Sequence, residues 1–296
     1  MSSVATLDFH VTSRCLQACP FCAPPELASD ELDTQKAAAV VRKARALGVP
    51  RIVFTGGDPL LRPDAGILLR LARQERLESE LATPGGKLTP GFLRAYGRWI
   101  DRLALPLDGP NEAVSSRTKS PGHFDATLRN LRLVAEFPAI DLKLNTAVTT
   151  HNLEAVPDLL SLLDGIAPTL PNRLTLDVYQ RHPRTASAGT PEWAVSDEAF
   201  AALQALNLGG NHPYKVNWID RHTTSGLYLT VLPDGRLTVY AEGQAHDLGP
   251  FAEVRDLEAA LAGASFDAPR HLERSLAWSS LRREAATARA NETAAQ

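Results

Sequence analysis

The sequence predicts an α/β chain: a partial (β/α)6 barrel of the TIM type over residues 1–180, then a small C-terminal α+β extension over 181–296. Three observations predict it. Short apolar runs recur through the first 180 positions, of which RIVFT (51–55) is rich in β-branched residues. Stretches of helical periodicity separate them. The alternation gives six units, which wind as parallel strands joined by right-handed crossovers, and without a seventh and eighth unit the barrel stays open.

The elements follow in order. Residues 5–11 (ATLDFHV) read as the first strand and feed a cysteine-bearing loop. The run DTQKAAAVVRKARALG (33–48) reads as a helix that Asp33 or Thr34 can cap and Gly48 can stop. RIVFT (51–55) fits a buried parallel strand, followed by a glycine-rich turn and a helix over roughly 64–76. Further strands read at 79–83, 101–107, 140–148 and 173–179, with helices at 89–97, 124–136 and 153–164 between them. Beyond residue 181 come a Pro- and Gly-containing loop (RHPRTASAGTP), a helix over about 196–207, and GLYLTVLPDGRLTVY (226–240), a hairpin turning at Pro233-Asp234-Gly235. Residues after about 279, rich in Ala, Arg and Glu, read as a frayed helix or tail.

Composition narrows the class. The 296 residues are 44% hydrophobic and 22% charged, which suffices for a sizeable core. A formal charge of −3 gives no electrostatic reason to bind a nucleic-acid polymer or an anionic membrane, so small-molecule or protein partners are expected. No apolar run approaches the roughly 20 residues of a membrane-spanning helix, and the N-terminus lacks a basic stretch followed by an apolar one. A cytoplasmic location is the expectation.

Cys15-Leu-Gln-Ala-Cys19-Pro-Phe-Cys22 puts all three cysteines on one loop after the first strand. An odd, clustered set is a poor disulfide framework and a good ligand set for a soft metal centre. Three thiolates can hold an iron–sulfur cubane and leave one iron for a small-molecule ligand. A zinc site completed by a distant ligand such as His10, and three buried free cysteines, are the alternatives.

This Cys-x3-Cys-x2-Cys spacing, with Phe21 before the last cysteine, resembles the signature of the radical S-adenosylmethionine superfamily. Gly56-Gly57-Asp58-Pro59, directly after the second strand, resembles that family's Gly-Gly-Glu-Pro turn, which binds the cofactor's amino group. The resemblance implies a [4Fe–4S] cluster on Cys15, Cys19 and Cys22, with S-adenosyl-L-methionine on the open iron. It further implies reductive cleavage to a 5′-deoxyadenosyl radical and an external electron donor such as flavodoxin or ferredoxin. Cofactor contacts are implied at Phe21, Gly56, Gly57, Asp58 and Pro59, at Thr83 in Thr-Pro-Gly, and at Asp108 in Leu-Asp-Gly. Arg117 matches an arginine that meets the cofactor carboxylate, and Asn145 matches a ribose contact. Two departures stand out: Asp58 is one methylene shorter than the usual Glu, and Pro106 replaces a serine.

Within the superfamily the resemblance is closest to the viperin-like enzymes. It runs through FHVTSRCLQACPFC, IVFTGGDPLL, HFDATLRNLRLVAEFPAIDLKLNTAVTTHNLEAV, and VSDEAF followed by GLYLTVLPDGRL. It implies hydrogen abstraction from the sugar of a nucleotide or nucleoside, leading to dehydration, deoxygenation or rearrangement. Lys143 alternates with Asn145 on one strand face and matches a lysine that meets a triphosphate in those enzymes; a snorkelling strand lysine is the other reading. Arg173 and Arg181 are further phosphate candidates, and Tyr179 is a candidate hydrogen-atom donor. Asp177 stands where those enzymes carry a basic residue, which counts against cytidine triphosphate. Two other classes stay open: radical modification of a peptide or other small natural product, and a non-catalytic zinc or iron–sulfur protein. The extension has no cysteine for an auxiliary cluster.

Overall fold

Each of the six strands read from the sequence forms within one residue of its expected place. The computed structural model describes residues 3–22, 30–182, 191–207 and 210–275. Most of the loop read at 181–191, and all of the tail after 279, lie outside the described residues. The chain runs β1 (Thr6–Thr12), α1 (Thr34–Ala46), β2 (Arg51–Gly56), α2 (Ala65–Gln74), β3 (Glu78–Ala82), α3 (Pro90–Tyr96), β4 (Arg102–Pro106), α4 (Glu112–Ser115) and α5 (His123–Ala135). It continues with β5 (Asp141–Val148), α6 (Val156–Ile166), β6 (Leu174–Gln180), α7 (Asp197–Asn207), β7 (Lys215–Ile219) and α8 (Arg221–Thr224). Last come β8 (Leu229–Val231), β9 (Arg236–Ala241), β10 (Gln244–Pro250) and α9 (Leu257–Leu261).

Local chemistry sets the boundaries. Asp33 caps α1 by accepting from the Lys36 amide at 2.8 Å, Thr89 caps α3 and Asn111 caps α4 in the same way. Gly48, at φ +80°, turns the chain out of α1. The helix expected from 153 begins only at Val156, after a 3-10 turn over Leu153–Ala155, because Pro157 fits the first turn of an α-helix and not its interior.

All the strands join one sheet in the order β10-β9-β8-β1-β2-β3-β4-β5-β6-β7. Strands β1 to β7 are parallel, and β8 adds parallel to β1 through Asp8–Thr230 and Phe9–Val231. The hairpin expected at 226–240 is β8 and β9, turning at Gly235 with φ +90°. The region after residue 181 therefore builds both flanks of the barrel sheet, and among the described strands β7 and β8 do not pair. Strand β7 escapes the sequence reading because KVNWI is half-exposed and alternates weakly.

Alternation divides the sheet into two faces. Leu7, Phe9, Ile52, Leu81, Leu103, Leu144 and Leu176 pack outward, at most 2% exposed, against Val41, Leu68, Leu131 and Leu160 of the helices. The opposite face carries His10, Glu80, Arg102, Lys143, Asn145, Asp177 and Tyr179 into the barrel. A helical segment over 268–275 touches the start of β1 through His271 and β6 through Arg274. No helix among the described residues is long and apolar enough to cross a membrane.

Candidate functional site

The barrel encloses a cavity of about 1260 Å³, lined at one end by the cysteine loop and at the other by charged strand residues. The loop is held on three sides. Its approach meets the turn after β2, where the Gly57 amide donates to the Thr12 carbonyl at 2.8 Å and the Asp58 amide to the Arg14 carbonyl at 2.7 Å. Backbones this close exclude side chains: a Cβ on Gly56 would lie 2.2 Å from the Thr12 oxygen and one on Gly57 2.1 Å from that of Arg14, and Gly56 has φ +125°. Glu31 accepts from the Thr12 hydroxyl, the Ser13 amide and the Arg14 guanidinium. On the far side, the Ala18 amide donates to Ser120 Oγ at 3.2 Å and the Ser120 amide to Gln17 Oε1 at 2.9 Å.

Cys15, Cys19 and Cys22 all line the cavity, with Phe21, Gly56, Gly57, Asp108 and Asn145. The Gln17 amide points at Cys15 Sγ from 3.4 Å, a donor that suits a thiolate. Lys119 lies over the Phe21 ring, 4.8 Å from its centroid, with Nζ 3.0 Å from Asp108. Burial pushes the Cys15 and Cys19 thiols up, and the Lys119 charge works against it. The Asn145 amide oxygen faces this space buried and without a hydrogen-bond partner.

Other expected contacts stand behind the cavity wall. Asp58 is 1% exposed; it caps the turn at Pro59 by accepting from the Leu60 amide and takes the Thr83 hydroxyl at 2.6 Å. Asp58, Pro59 and Thr83 thus support the glycine turn and are not among the lining residues. Arg117 is exposed and donates to the His151 carbonyl, outside the lining, whereas Lys119 two residues later faces inward. Nothing in the sequence marks Lys119; its packing on Phe21, its ion pair with Asp108 and its place on the lining distinguish it from a loop lysine.

Deeper in the barrel the charges are paired. Glu80 receives Arg102, through Nε at 2.7 Å and a closer Nη2, and Lys143 Nζ at 3.1 Å. Asp177 receives Arg274 Nη2 at 2.9 Å, Asn217 Nδ2 at 2.7 Å, the Tyr179 hydroxyl at 3.1 Å and Lys143 at 3.5 Å. Burial alone would raise both carboxyls; the neighbouring cations outweigh it and hold each at about 2. Lys143 therefore bridges two carboxylates. Arg173 pairs with Asp141 and is not among the lining residues, while Arg181 and Tyr179 do line the cavity. Burial raises the Tyr179 phenol well above its usual range.

The donor set can be weighed against what it would hold. No three histidine, cysteine or acidic side chains among the described residues are placed to grip a single metal ion. A cubane presents its irons at separate corners and does not need thiolates that meet at one point. Three cysteines on one loop, an amide aimed at a sulfur and an orphaned amide oxygen in the same cavity fit a cluster with an organic ligand beside it.

A model of the radical SAM superfamily matches residues 9–163. The chain is 30% identical over 229 residues to an AdoMet-dependent heme synthase of Nitratidesulfovibrio vulgaris, covering 75% of this chain and 58% of that protein. It is 36% identical over 151 residues to a PqqA peptide cyclase of Ruegeria pomeroyi, covering 49% and 40%. A S-adenosylmethionine-dependent nucleotide dehydratase of Lacinutrix mariniflava is 25% identical over 305 residues, covering 93% and 58%. The chain thus spans only part of the length of each of these relatives. The crystal structure of Streptococcus suis SuiB bound to S-adenosylmethionine superposes with a TM-score of 0.64 at 12% identity, over 92% of this chain and 68% of that one, a likeness of fold.

Proposed function

Because the chain belongs to the radical SAM superfamily, we propose that Cys15, Cys19 and Cys22 hold a [4Fe–4S] cluster with S-adenosylmethionine beside it. The substrate in this reading lies in the barrel below. When bound, these groups supply a 5′-deoxyadenosyl radical able to take hydrogen from an unactivated C–H bond. The observation that carries the reading is the convergence of three thiols and the unpartnered Asn145 amide oxygen on the lining of one cavity.

The residues divide the work. The glycine turn and Glu31 fix the approach to Cys15, and Ser120 fixes Gln17 and Ala18. Lys119, as the cation facing the thiols, is placed for a cofactor carboxylate, and the amide of Asn145 for a ribose hydroxyl. The barrel walls shield the reacting carbon from water and position it, and Tyr179 stands on the lining as a hydrogen-atom donor.

The substrate class that fits best is a nucleotide or nucleoside, attacked at its sugar. Its support is the likeness to a nucleotide dehydratase along 93% of the chain, with a lining of hydrogen-bonding side chains such as Asn217, Asp177 and Thr175. The reconstituted, reduced enzyme is expected to form 5′-deoxyadenosine faster with a nucleotide or nucleoside present, and with deuterated sugar to carry deuterium into it. No stimulation by any member of a nucleotide and nucleoside panel would end this reading. The 36% identity to a peptide cyclase favours peptide modification as the second reading, and stimulation by a peptide alone would select it.

A further inference from the structure

Arg274 enters the cavity from outside the strands of the barrel. Its helical segment is pinned at the N-terminal ends of β1 and β2. His271 Nε2 accepts from the Ala5 and Thr6 amides at 3.0 and 3.1 Å, His271 Nδ1 donates to the Leu227 carbonyl at 2.8 Å, and the Ser275 carbonyl accepts from Arg51 at 3.1 Å. From that anchorage Arg274 reaches across to β6. Its Nη2 alone makes both hydrogen bonds there, to Asp177 and to the Tyr179 hydroxyl at 3.1 Å.

A guanidinium carries five N–H donors, so among the described residues the three on Nε and Nη1 have no hydrogen-bond partner. The Arg274 side chain is 25% exposed and lines the cavity. Other deep cations are committed to carboxylates: Glu80 holds Arg102, and Glu80 and Asp177 share Lys143. On β7, Lys215 is exposed, stands in register with Thr175, lines the same cavity and makes no ion pair among the described residues. A pin for the helical segment needs only the two bonds of Nη2. Donors left over on a cavity wall can take an acceptor, and a guanidinium with an ammonium on the same lining suits an oxyanion.

We propose that the spare donors of Arg274, with Lys215 on the neighbouring part of the sheet, bind one oxyanion of the substrate, a phosphate or a carboxylate, at the end of the cavity away from the cysteine loop. The inference rests on the reading of this cavity as the substrate chamber. Lys143 then keeps Asp177 and Glu80 in place and does not itself meet the anion, and the C-terminal segment becomes part of the substrate site.

The test uses wild-type holoenzyme, reconstituted anaerobically and loaded with S-adenosylmethionine. Modification of Arg274 by phenylglyoxal is followed by peptide mapping, with inorganic phosphate or acetate as the added anion. Saturable protection of Arg274 by at least about tenfold is expected, with exposed Arg117 unprotected. Stronger protection by phosphate marks a phosphorylated substrate and stronger protection by acetate a carboxylate; both uphold the site. R274Q is expected to bind phosphate about tenfold more weakly in equilibrium dialysis, and R274K, which keeps the charge at Asp177, to lose less. An Arg274 that neither anion protects, or two variants that bind phosphate as wild type does, would overturn the proposal. Uncoupled 5′-deoxyadenosine formation in the same wild-type preparation reports separately on the enzyme reading: its absence beside a protected Arg274 would sink that reading and leave the anion site standing.

Discussion

Gly57 has no room for a methyl group, since the backbone oxygen of Arg14 already occupies the place. G57A must therefore push the turn away from the residues leading into Cys15. Iron bound per chain is expected to fall below about half of the wild-type value after reconstitution, read by iron and sulfide assay. Two cations on one loop give a sharper contrast. Lys119 faces the thiols and Arg117 faces solvent, so K119A is expected to weaken S-adenosylmethionine binding by at least about tenfold while R117A stays within about twofold, measured by equilibrium dialysis. A loss in R117A larger than that in K119A would return the carboxylate to Arg117. Cys15, Cys19, Cys22 and the glycines were legible because their chemistry is written in spacing along one short stretch. The choice between Arg117 and Lys119 was not, because it depends on which way a single turn after α4 faces.

Strand alternation, at the level of the element, puts a polar residue inward at Glu80, Arg102, Lys143 and Asp177 on four neighbouring strands. Lys143 and Asp177 each stand between apolar neighbours, a pattern visible in the sequence; the pairing among the four is not, since it depends on the register of strands far apart in the chain. Glu80 is the shared member of this set, and E80Q leaves Arg102 and Lys143 without their carboxylate. The loss is expected to be about 3–5 kcal/mol in urea unfolding near neutral pH. The sign with pH follows from its depressed carboxyl: the stabilisation is present above the ordinary carboxylate range and is lost as pH falls toward about 2. E80Q is therefore expected to narrow the gap from wild type as the medium is acidified from pH 5 to about 2. A loss that stays the same across that range would show that Glu80 acts through its shape and not its charge.

For the whole molecule, what matters is how the open sheet is completed. His271 is 4% exposed and accepts two backbone amides through Nε2 while donating from Nδ1, an arrangement only the neutral ring can make. Burial, with Arg51 nearby, pushes its pKa down. Its contribution is therefore full above about 6.5, the unfolded value, and is lost as pH falls below it. The melting temperature is expected to drop between pH 7 and about 5, and H271Q, which cannot take up that proton, to show a shallower drop. An identical slope would remove His271 from the acid response. The sequence by itself determined the six strands, the intervening helices and the cysteine and glycine motifs, because hydrophobic period and short-range spacing are local properties of a chain. Only the tertiary structure decided that residues after 181 flank the barrel sheet on both sides, that Lys119 and not Arg117 faces the thiols, and that Arg274 reaches the cavity. Each of these is a contact between segments far apart in sequence, fixed by sheet register and by the need to satisfy buried charge, and neither constraint leaves a local mark in the order of residues.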